Sequence, residues 1–236
     1  MKSLISSPVA ARCSLFNVPC VLIILLTLAA TLTGSLYTVC AAPAACGTQK
    51  GGLIFNEIWR PQDSPICLTN DTSLSNVSLL PGTIVYVGSN VTIHVLTTIH
   101  ALGTSNAHIV FVAAPDNTVG WQGLDFQNTL PGSEFDWCDI GGAQNSALRL
   151  IRSVAIVRNT TFWTNSGSYG GAIYADLAGG MLLLTNCTFI NNTAVNDGGA
   201  IWARMGTGQL HVARCTFDGS IANPGYQRRN TYGGAI

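Results

Sequence analysis

A repeated pattern constrains the fold of this chain more than any other feature of its sequence. Three segments each place a Thr-Phe pair ahead of a Gly-Gly-Ala-Ile run. The phenylalanines of the three units are 27 and 28 residues apart. A period of about 20 to 50 residues indicates a solenoid, a propeller or another repeat array rather than a single globular core. The repeat positions are Phe162, Gly170, Gly171 and Ile173, then Phe189, Gly198, Gly199 and Ile201, then Phe217, Gly233, Gly234 and Ile236.

The content of one period predicts which solenoid forms. Three short apolar runs, 172–175, 181–184 and 187–190, are separated by Gly and Asn, and none has the spacing of a helix. Gly and Asn tolerate the left-handed backbone conformation that sharp corners require. We therefore predict an all-β fold, a right-handed parallel β-helix solenoid with three short strands per coil of about 22–28 residues. Stacked coils would align the phenylalanines in one internal ladder and the isoleucines in another.

The same units resemble the repeat of the chlamydial polymorphic outer membrane proteins. The resemblance rests on the Phe-x-x-Asn and Gly-Gly-Ala-Ile pairs, Phe162 to Asn165 and Phe189 to Asn192 in the first two units. It implies a right-handed β-helix of pectin-lyase-like type that is displayed at the cell surface. The third unit departs from the pattern, since Ser220 replaces the asparagine. The C-terminal transporter barrel of that family is also absent from this sequence, and we expect a truncated product or a fragment.

The N-terminal region carries the features of a targeting segment. Lys2 and Arg12 precede a long uncharged stretch, which ends in a run of small residues at 41–45. We predict a secretory signal peptide at 1–44, an N-terminal cap region at 45–80 and β-helix repeats at 81–236. An uncleaved membrane anchor and lipidation of Cys46 remain as alternatives.

Composition and charge narrow the classes of partner. The chain has 11 basic and 11 acidic residues, and charged residues make up 9% of the total. This balance does not favour nucleic-acid binding, which depends on neutralising phosphates with Lys and Arg. Contact with a membrane is expected only through the N-terminal segment or through a missing C-terminal region.

Five cysteines lie beyond the predicted signal peptide. Cys46 and Cys67 flank a short polar segment, and in an oxidising compartment they could form a disulfide. None of the five has zinc-ligand spacing, and no calcium-binding repeat is present. We therefore expect no metal and no cofactor.

Catalysis on polysaccharides would need a convergent set of ionisable groups. The candidates in the early coils are Asp125, Asp136, Asp139, Arg149 and Arg152. Hydrolysis requires two carboxyl groups flanking the glycosidic bond, whereas elimination requires a base and a cation. Asp136 and Asp139 differ by three positions, which in one strand would place them on opposite faces. We interpret these residues as solvated positions rather than as an active site.

Other polar and aromatic residues support only structural or binding roles. The four histidines, His94, His100, His108 and His211, each stand among apolar or small residues and are interpreted as structural. Trp137, Trp163 and Trp202 could stack on sugar rings if they face outward. Several Asn-x-Ser/Thr sequons occur, and we attribute them to the abundance of Asn and Thr in strands and corners.

These observations predict an exported cell-surface or secreted β-helix protein that acts as an adhesive or structural binding module. The expected partners are surface glycans or other surface proteins. The alternative is a pectin-lyase-like polysaccharide-degrading enzyme, because the same fold can carry either function. Convergence of the acidic and arginine candidates in one groove would favour the enzyme.

Overall fold

The computed structural model describes residues 46–129, 131–222 and 235–236. The predicted signal peptide and the repeat glycines Gly233 and Gly234 lie outside the described residues. The described part is almost entirely β-structure, with one short 3₁₀ turn at Pro61–Asp63. Every pairing between its named strands is parallel, which confirms the predicted parallel β-helix.

The strands form two long sheets and one short sheet. The first long sheet has two halves, and strand β3 (Ile66–Ser75) belongs to both. Its residues 66–68 pair with β5 (Ile84–Val87), and its residues 72–74 pair with β6 (Thr92–Val95). We call the half that continues from β5 face 1, the half that continues from β6 face 2, and the second long sheet face 3. Each coil crosses the three faces in that order.

Face 1 consists of the first half of β3 (Ile66–Ser75), followed by β5 (Ile84–Val87), β8 (Ile109–Ala113), β11 (Cys138–Gly141), β14 (Thr161–Trp163), β18 (Thr188–Ile190) and β22 (Thr216–Asp218). Face 2 consists of the second half of β3, followed by β6 (Thr92–Val95), β9 (Gly123–Gln127), β12 (Leu148–Ile151), β16 (Ile173–Asp176) and β20 (Ile201–Arg204).

Face 3 contains β2 (Ile58–Trp59), β4 (Val77–Leu79), β7 (Ile99–Leu102), β10 (Ser133–Asp136), β13 (Val154–Arg158), β17 (Met181–Thr185) and β21 (Gln209–Ala213). The short sheet contains β15 (Ser166–Gly167), β19 (Thr193–Ala194) and β23 (Ile221–Ala222). These three strands give the later coils a fourth strand in addition to the predicted three.

Parallel pairing already begins in the region that was predicted as a cap. Strand β1 (Thr48–Phe55) pairs with β3, and β2 pairs with β4. Both pairings precede residue 81, so the segment 45–80 contributes strands to the same sheets. A disulfide joins Cys46 and Cys67 next to the first of these pairings, whereas Cys138, Cys187 and Cys215 are free thiols.

The interior is filled by side chains at equivalent positions in successive coils. Phe189 lies between Phe162 and Phe217, with ring centroids 5.0 Å and 4.8 Å away and nearly parallel planes. On face 2, Ile173 pairs with Ile201, and both side chains are fully buried. Ile236 differs from these two isoleucines because its side chain is 51% exposed, although Ala235 O accepts a hydrogen bond from Ile201 N.

Single left-handed residues turn the chain from face 3 to face 1. They are Trp137, Asn159, Asn186 and Arg214, with φ between 47° and 54°. Asn favours this conformation more than most residues because its short polar side chain bonds locally. The asparagine side chains also link the coils, since Asn186 Nδ2 donates to Asn159 Oδ1 at 3.1 Å.

The Gly-Gly pairs stand where the chain enters face 2. Gly170 and Gly198 have φ of 60° and 65°, a region that favours glycine. A side chain at Gly171 would collide with the backbone of Thr193 and Gly199 on the next coil. Close approach of adjacent coils therefore requires glycine at both positions of the pair.

Candidate functional site

The outer side of face 2 carries a continuous row of polar and aromatic side chains. Strand register aligns His94 with Asp125, Asp125 with Arg149, Arg149 with Tyr174, and Tyr174 with Trp202. Neighbouring strands lie about 4.8 Å apart, so each of these side chains contacts the next one along the axis. We call these five residues the face 2 row.

Asp125 is the most enclosed charged group in the face 2 row, with 11% of its side chain exposed. Its Oδ1 accepts a hydrogen bond from Arg149 Nη1 at 2.7 Å. Its Oδ2 accepts one from Gln127 Nε2 at 2.7 Å and lies 3.5 Å from His94 Nδ1. The surrounding donors satisfy this carboxylate, as a largely buried charge requires.

The aromatic end of the face 2 row is a stack. The Arg149 guanidinium lies 5.6 Å from the centroid of the Tyr174 ring. Trp202 stacks on Tyr174 at 4.8 Å with an interplanar angle of 17°, and Tyr169 contacts Trp202 at 5.5 Å. Arg149 and Trp202 belong to the coils on either side of Tyr174, so the Tyr174 ring faces point along the axis and its edge faces outward.

A second outer row runs beside the first. Asp176 pairs with Arg204 on the next coil, and Arg204 donates from Nε at 3.1 Å and from Nη2 to the two carboxylate oxygens. The hydrogen bond from Arg204 holds the pKa of Asp176 below its usual range, and the charge of Arg152 adds to this effect. Arg152 itself occupies a left-handed corner and donates from Nε to Asn128 Oδ1 at 2.7 Å.

In both ion pairs on face 2, the arginine side chain is more exposed than the aspartate side chain. The side chains of Asp125 and Asp176 are 11% and 14% exposed, whereas those of their partners Arg149 and Arg204 are 32% and 66% exposed. The carboxylates therefore lie beneath the guanidinium groups. At these two ion pairs, solvent therefore meets the guanidinium donors more than the carboxylate acceptors.

The remaining acidic candidates lie on other faces. Asp136 ends β10 on face 3 and accepts a hydrogen bond from Asn159 Nδ2 at 2.7 Å. Asp139 lies in β11 on face 1, where its Oδ2 is 2.9 Å from His108 Nδ1. The expectation that these two acids occupy opposite sides of one strand was wrong. The left-handed Trp137 bends the chain between them, so both are outward-facing and half-buried, on different faces.

Two of the histidines have aspartate neighbours. His94 and His108 each lie beside an aspartate from the following coil, Asp125 and Asp139 respectively. The separations of 31 residues gave no sequence signal for these contacts. His211 contacts Gln209 two residues away.

The three tryptophan candidates occupy different environments. Trp202 belongs to the face 2 row. Trp163 lies on the outer side of face 1, where its indole covers Gly141 so closely that a Cβ on Gly141 would collide with the ring. Trp137 lies at the corner, and its ring is 5.5 Å from that of His108. The structure therefore does not join the three rings in one sugar-binding surface.

This arrangement bears on the chemistry that the candidates can perform. Asp125 and Arg149 meet on face 2 with Arg152 at its edge, but Asp136 and Asp139 lie on other faces, so the predicted acids do not form a convergent pair.

Within the described ranges, no cluster of three or more His, Cys, Asp or Glu side chains is arranged to hold a metal. None of the helices in the described residues is long and apolar enough to span a membrane.

Sequence reasoning identified Trp202 as a candidate but missed Tyr174, Tyr169 and Arg204. Tyr174 and Trp202 each directly follow the isoleucine of a Gly-Gly-Ala-Ile run, so the repeat itself could have identified Tyr174 as a neighbour of Trp202. Tyr169 and Arg204 have no such signal.

A known protein family matches part of this chain. Residues 186–204 match the Chlamydia polymorphic membrane protein repeat. The matched stretch begins at the corner residue Asn186 and runs through β18, β19 and β20, and it includes Trp202. Neither the curated proteins nor the solved structures gave a match.

Proposed function

We propose that this chain is an exported cell-surface β-helix module that binds surface ligands through the outer side of face 2. The similarity of residues 186–204 to a repeat of chlamydial membrane proteins supports the surface location. The observation that carries the binding role is the face 2 row. It assembles five polar and aromatic side chains on five consecutive coils of one parallel sheet.

The scaffold suits recognition because it holds the row rigidly. Backbone hydrogen bonds join each coil to the next, and the interior phenylalanines stack without large gaps between their rings. A preorganised surface loses little conformational freedom on binding, so more of the interaction energy contributes to affinity. Tyr, Trp and Arg are also the residues that most often dominate the energy of binding interfaces.

The alternative of a polysaccharide-degrading enzyme has less support. Asp125 is held by Arg149, Gln127 and His94, so its oxygens already have partners. Hydrolysis would require a second carboxyl group across the bond to be cleaved. Asp136 and Asp139, the two further acidic candidates, lie on faces 3 and 1.

The proposal is tested by adhesion of the full chain to immobilised host-cell surfaces and to a glycan array. The double variant Tyr174→Ala/Trp202→Ala alters face 2, and Trp163→Ala is the matched control on face 1. We expect the double variant to lose adhesion and the control to retain it, with unfolding transitions compared for both. Failure of the wild-type chain to bind any surface, or equal loss in the control, would overturn the proposal.

A further inference from the structure

Three arginine side chains lie along the outer side of face 2 and its edge. Arg149 and Arg204 extend over the carboxylates of Asp125 and Asp176, and Arg152 lies at the corner after β12. We call these three residues the arginine strip. Each guanidinium group uses only some of its N–H donors in hydrogen bonds to the protein. Arg149 bonds through Nη1, Arg152 through Nε, and Arg204 through Nε and Nη2.

The hydrogen-bonding character of this surface specifies the chemistry of its ligand. A guanidinium has five N–H donors and no acceptor, and the indole of Trp202 has a donor only. The acceptors of Asp125 and Asp176 are shielded, at 11% and 14% exposure. A matching ligand must therefore supply acceptors, and negatively charged acceptors bind guanidinium groups most strongly.

The spacing of the arginine strip favours an extended ligand. Arg152 lies on the coil before that of Asp176, and Arg204 lies on the coil after it, next in register to Asp176. Two coil steps correspond to about 9.6 Å along the axis. A linear polymer with one anionic group on every second unit would meet the guanidinium groups of Arg152 and Arg204 at this interval, and Arg149 lies on the same coil as Arg152.

The aromatic stack favours an anionic ligand over a neutral sugar chain. Neutral sugars gain affinity by covering an exposed aromatic ring face, but the Tyr174 ring lies between Arg149 and Trp202. Its edge and hydroxyl remain for polar contacts with a ligand. Nucleic acid fits less well because duplex DNA carries about one negative charge per 1.7 Å of its axis. Guanidinium groups about 9.6 Å apart cannot pair with charges of that density.

We propose that the arginine strip binds a linear acidic glycan that carries a carboxylate or sulfate group on alternate sugars. The glycan lies along the solenoid axis over face 2, with its anionic groups paired to the guanidinium groups. Tyr174 and Trp202 contact the sugar hydroxyls between these groups. This inference rests on the proposed binding role of face 2 and adds the ligand class and the residues that recognise it.

The test measures binding of the full chain to two size-defined oligosaccharides by calorimetry. Hyaluronan oligosaccharides carry only carboxylates, and chondroitin sulfate oligosaccharides carry sulfates as well, so the two probes distinguish the sources of charge. We expect at least one probe to bind in low salt and to weaken as salt is added, because screening acts on exposed charge pairs. The double variant Arg152→Gln/Arg204→Gln should weaken binding about tenfold or more, since hydrogen bonds to charged groups are among the stronger ones.

Arg214→Gln provides a matched control. Arg214 also occupies a left-handed corner, and its Nε donates to Asn186 Oδ1 at 2.7 Å, the same contact that Arg152 makes with Asn128. It lies between faces 3 and 1, away from the arginine strip. The control variant should bind the probe within about twofold of wild type.

The inference would be overturned by the absence of binding to both acidic probes, by equal binding of a neutral chitin oligosaccharide, or by equal weakening by Arg214→Gln. Equal binding of polyglutamate would also overturn it, because charge alone would then suffice and an acidic protein segment would be the better partner. If the glycan array shows adhesion that depends on Tyr174 and Trp202 but not on the arginines, the proposed function stands and this inference fails.

Discussion

Asn192 Oδ1 accepts hydrogen bonds from both the backbone N and the side-chain Nδ2 of Asn165, each at 3.1 Å. Both asparagines are fully buried, and they occupy the same position in consecutive coils. Asn165 also accepts from Ala143 N and donates to Ile140 O on the preceding coil, each at 3.0 Å. In the last described coil Ser220 Oγ takes the equivalent place and accepts from Asn192 N at 3.3 Å.

These hydrogen bonds form a ladder through Asn165, Asn192 and Ser220. The ladder predicts that Asn165→Ala greatly lowers the free energy of unfolding. The substitution leaves the Ala143 N–H and the Ile140 carbonyl without their buried partners, and we expect the free energy of unfolding to fall by about 3 kcal/mol. Urea titration followed by circular dichroism measures the change. Asn196→Ala is the control, because the Asn196 side chain makes one exposed hydrogen bond, from Nδ2 to Ser168 O, and its loss should cost less than about 1 kcal/mol. Equal costs would contradict the ladder.

Ile201→Asp tests the register of face 2. Ile201 is fully buried and pairs with Ile173, so the aspartate would place an unpaired charge in the interior. We expect loss of the cooperative unfolding transition in a thermal scan. Leu183→Asp is the comparison, because Leu183 lies on the outer side of face 3 between Ile156 and His211, and the same transition should remain. An unchanged transition for Ile201→Asp would place this strand in another register.

Gly141→Ala tests the contact between adjacent coils on face 1. A Cβ at position 141 would overlap the indole of Trp163, which must then move from its present position. We expect a loss of about 1 to 3 kcal/mol in the free energy of unfolding. The same substitution in a Trp163→Ala background should cost much less, because the ring is gone. Additive losses in this double-mutant cycle would show that the two residues do not interact.

The buried thiols of Cys138 and Cys187 predict that the folded chain loses stability at alkaline pH. Burial raises the pKa of Cys187 to about 12, and burial also raises the pKa of Cys138. An unfolded thiol ionises near its ordinary pKa of about 8.5. The folded state keeps the proton that the unfolded state loses, so this stability is complete below that pH and declines as the pH rises toward 12.

Urea midpoints measured from pH 7 to pH 10 check this expectation. The wild-type midpoint should fall with rising pH, and the slope should be smaller in Cys138→Ala/Cys187→Ala. The native chain should also react slowly with iodoacetamide at both thiols, because the thiolate is the reactive form. Rapid alkylation of Cys187 in the folded chain would contradict its burial.

The sequence alone determined the repeating architecture. The Phe162, Phe189 and Phe217 spacing and the recurring Gly-Gly pairs predicted stacked coils with an aromatic interior, and the structure contains both. These features are local and periodic, so they are visible without knowledge of the distant contacts. Asn at the corners was predictable for the same reason, because its preference for left-handed backbone belongs to the residue itself.

Contacts between coils, which the sequence does not reveal, bring the outward side chains together. His94, Asp125, Arg149, Tyr174 and Trp202 are separated by 31, 24, 25 and 28 residues, so no constant period connects them. The loops between strands differ in length from coil to coil. The strands of face 2 nevertheless pair in register, so these five residues lie next to one another. Strand pairing determines which residues become neighbours across coils. Because the loops vary in length, the sequence separation of two residues does not show whether they pair.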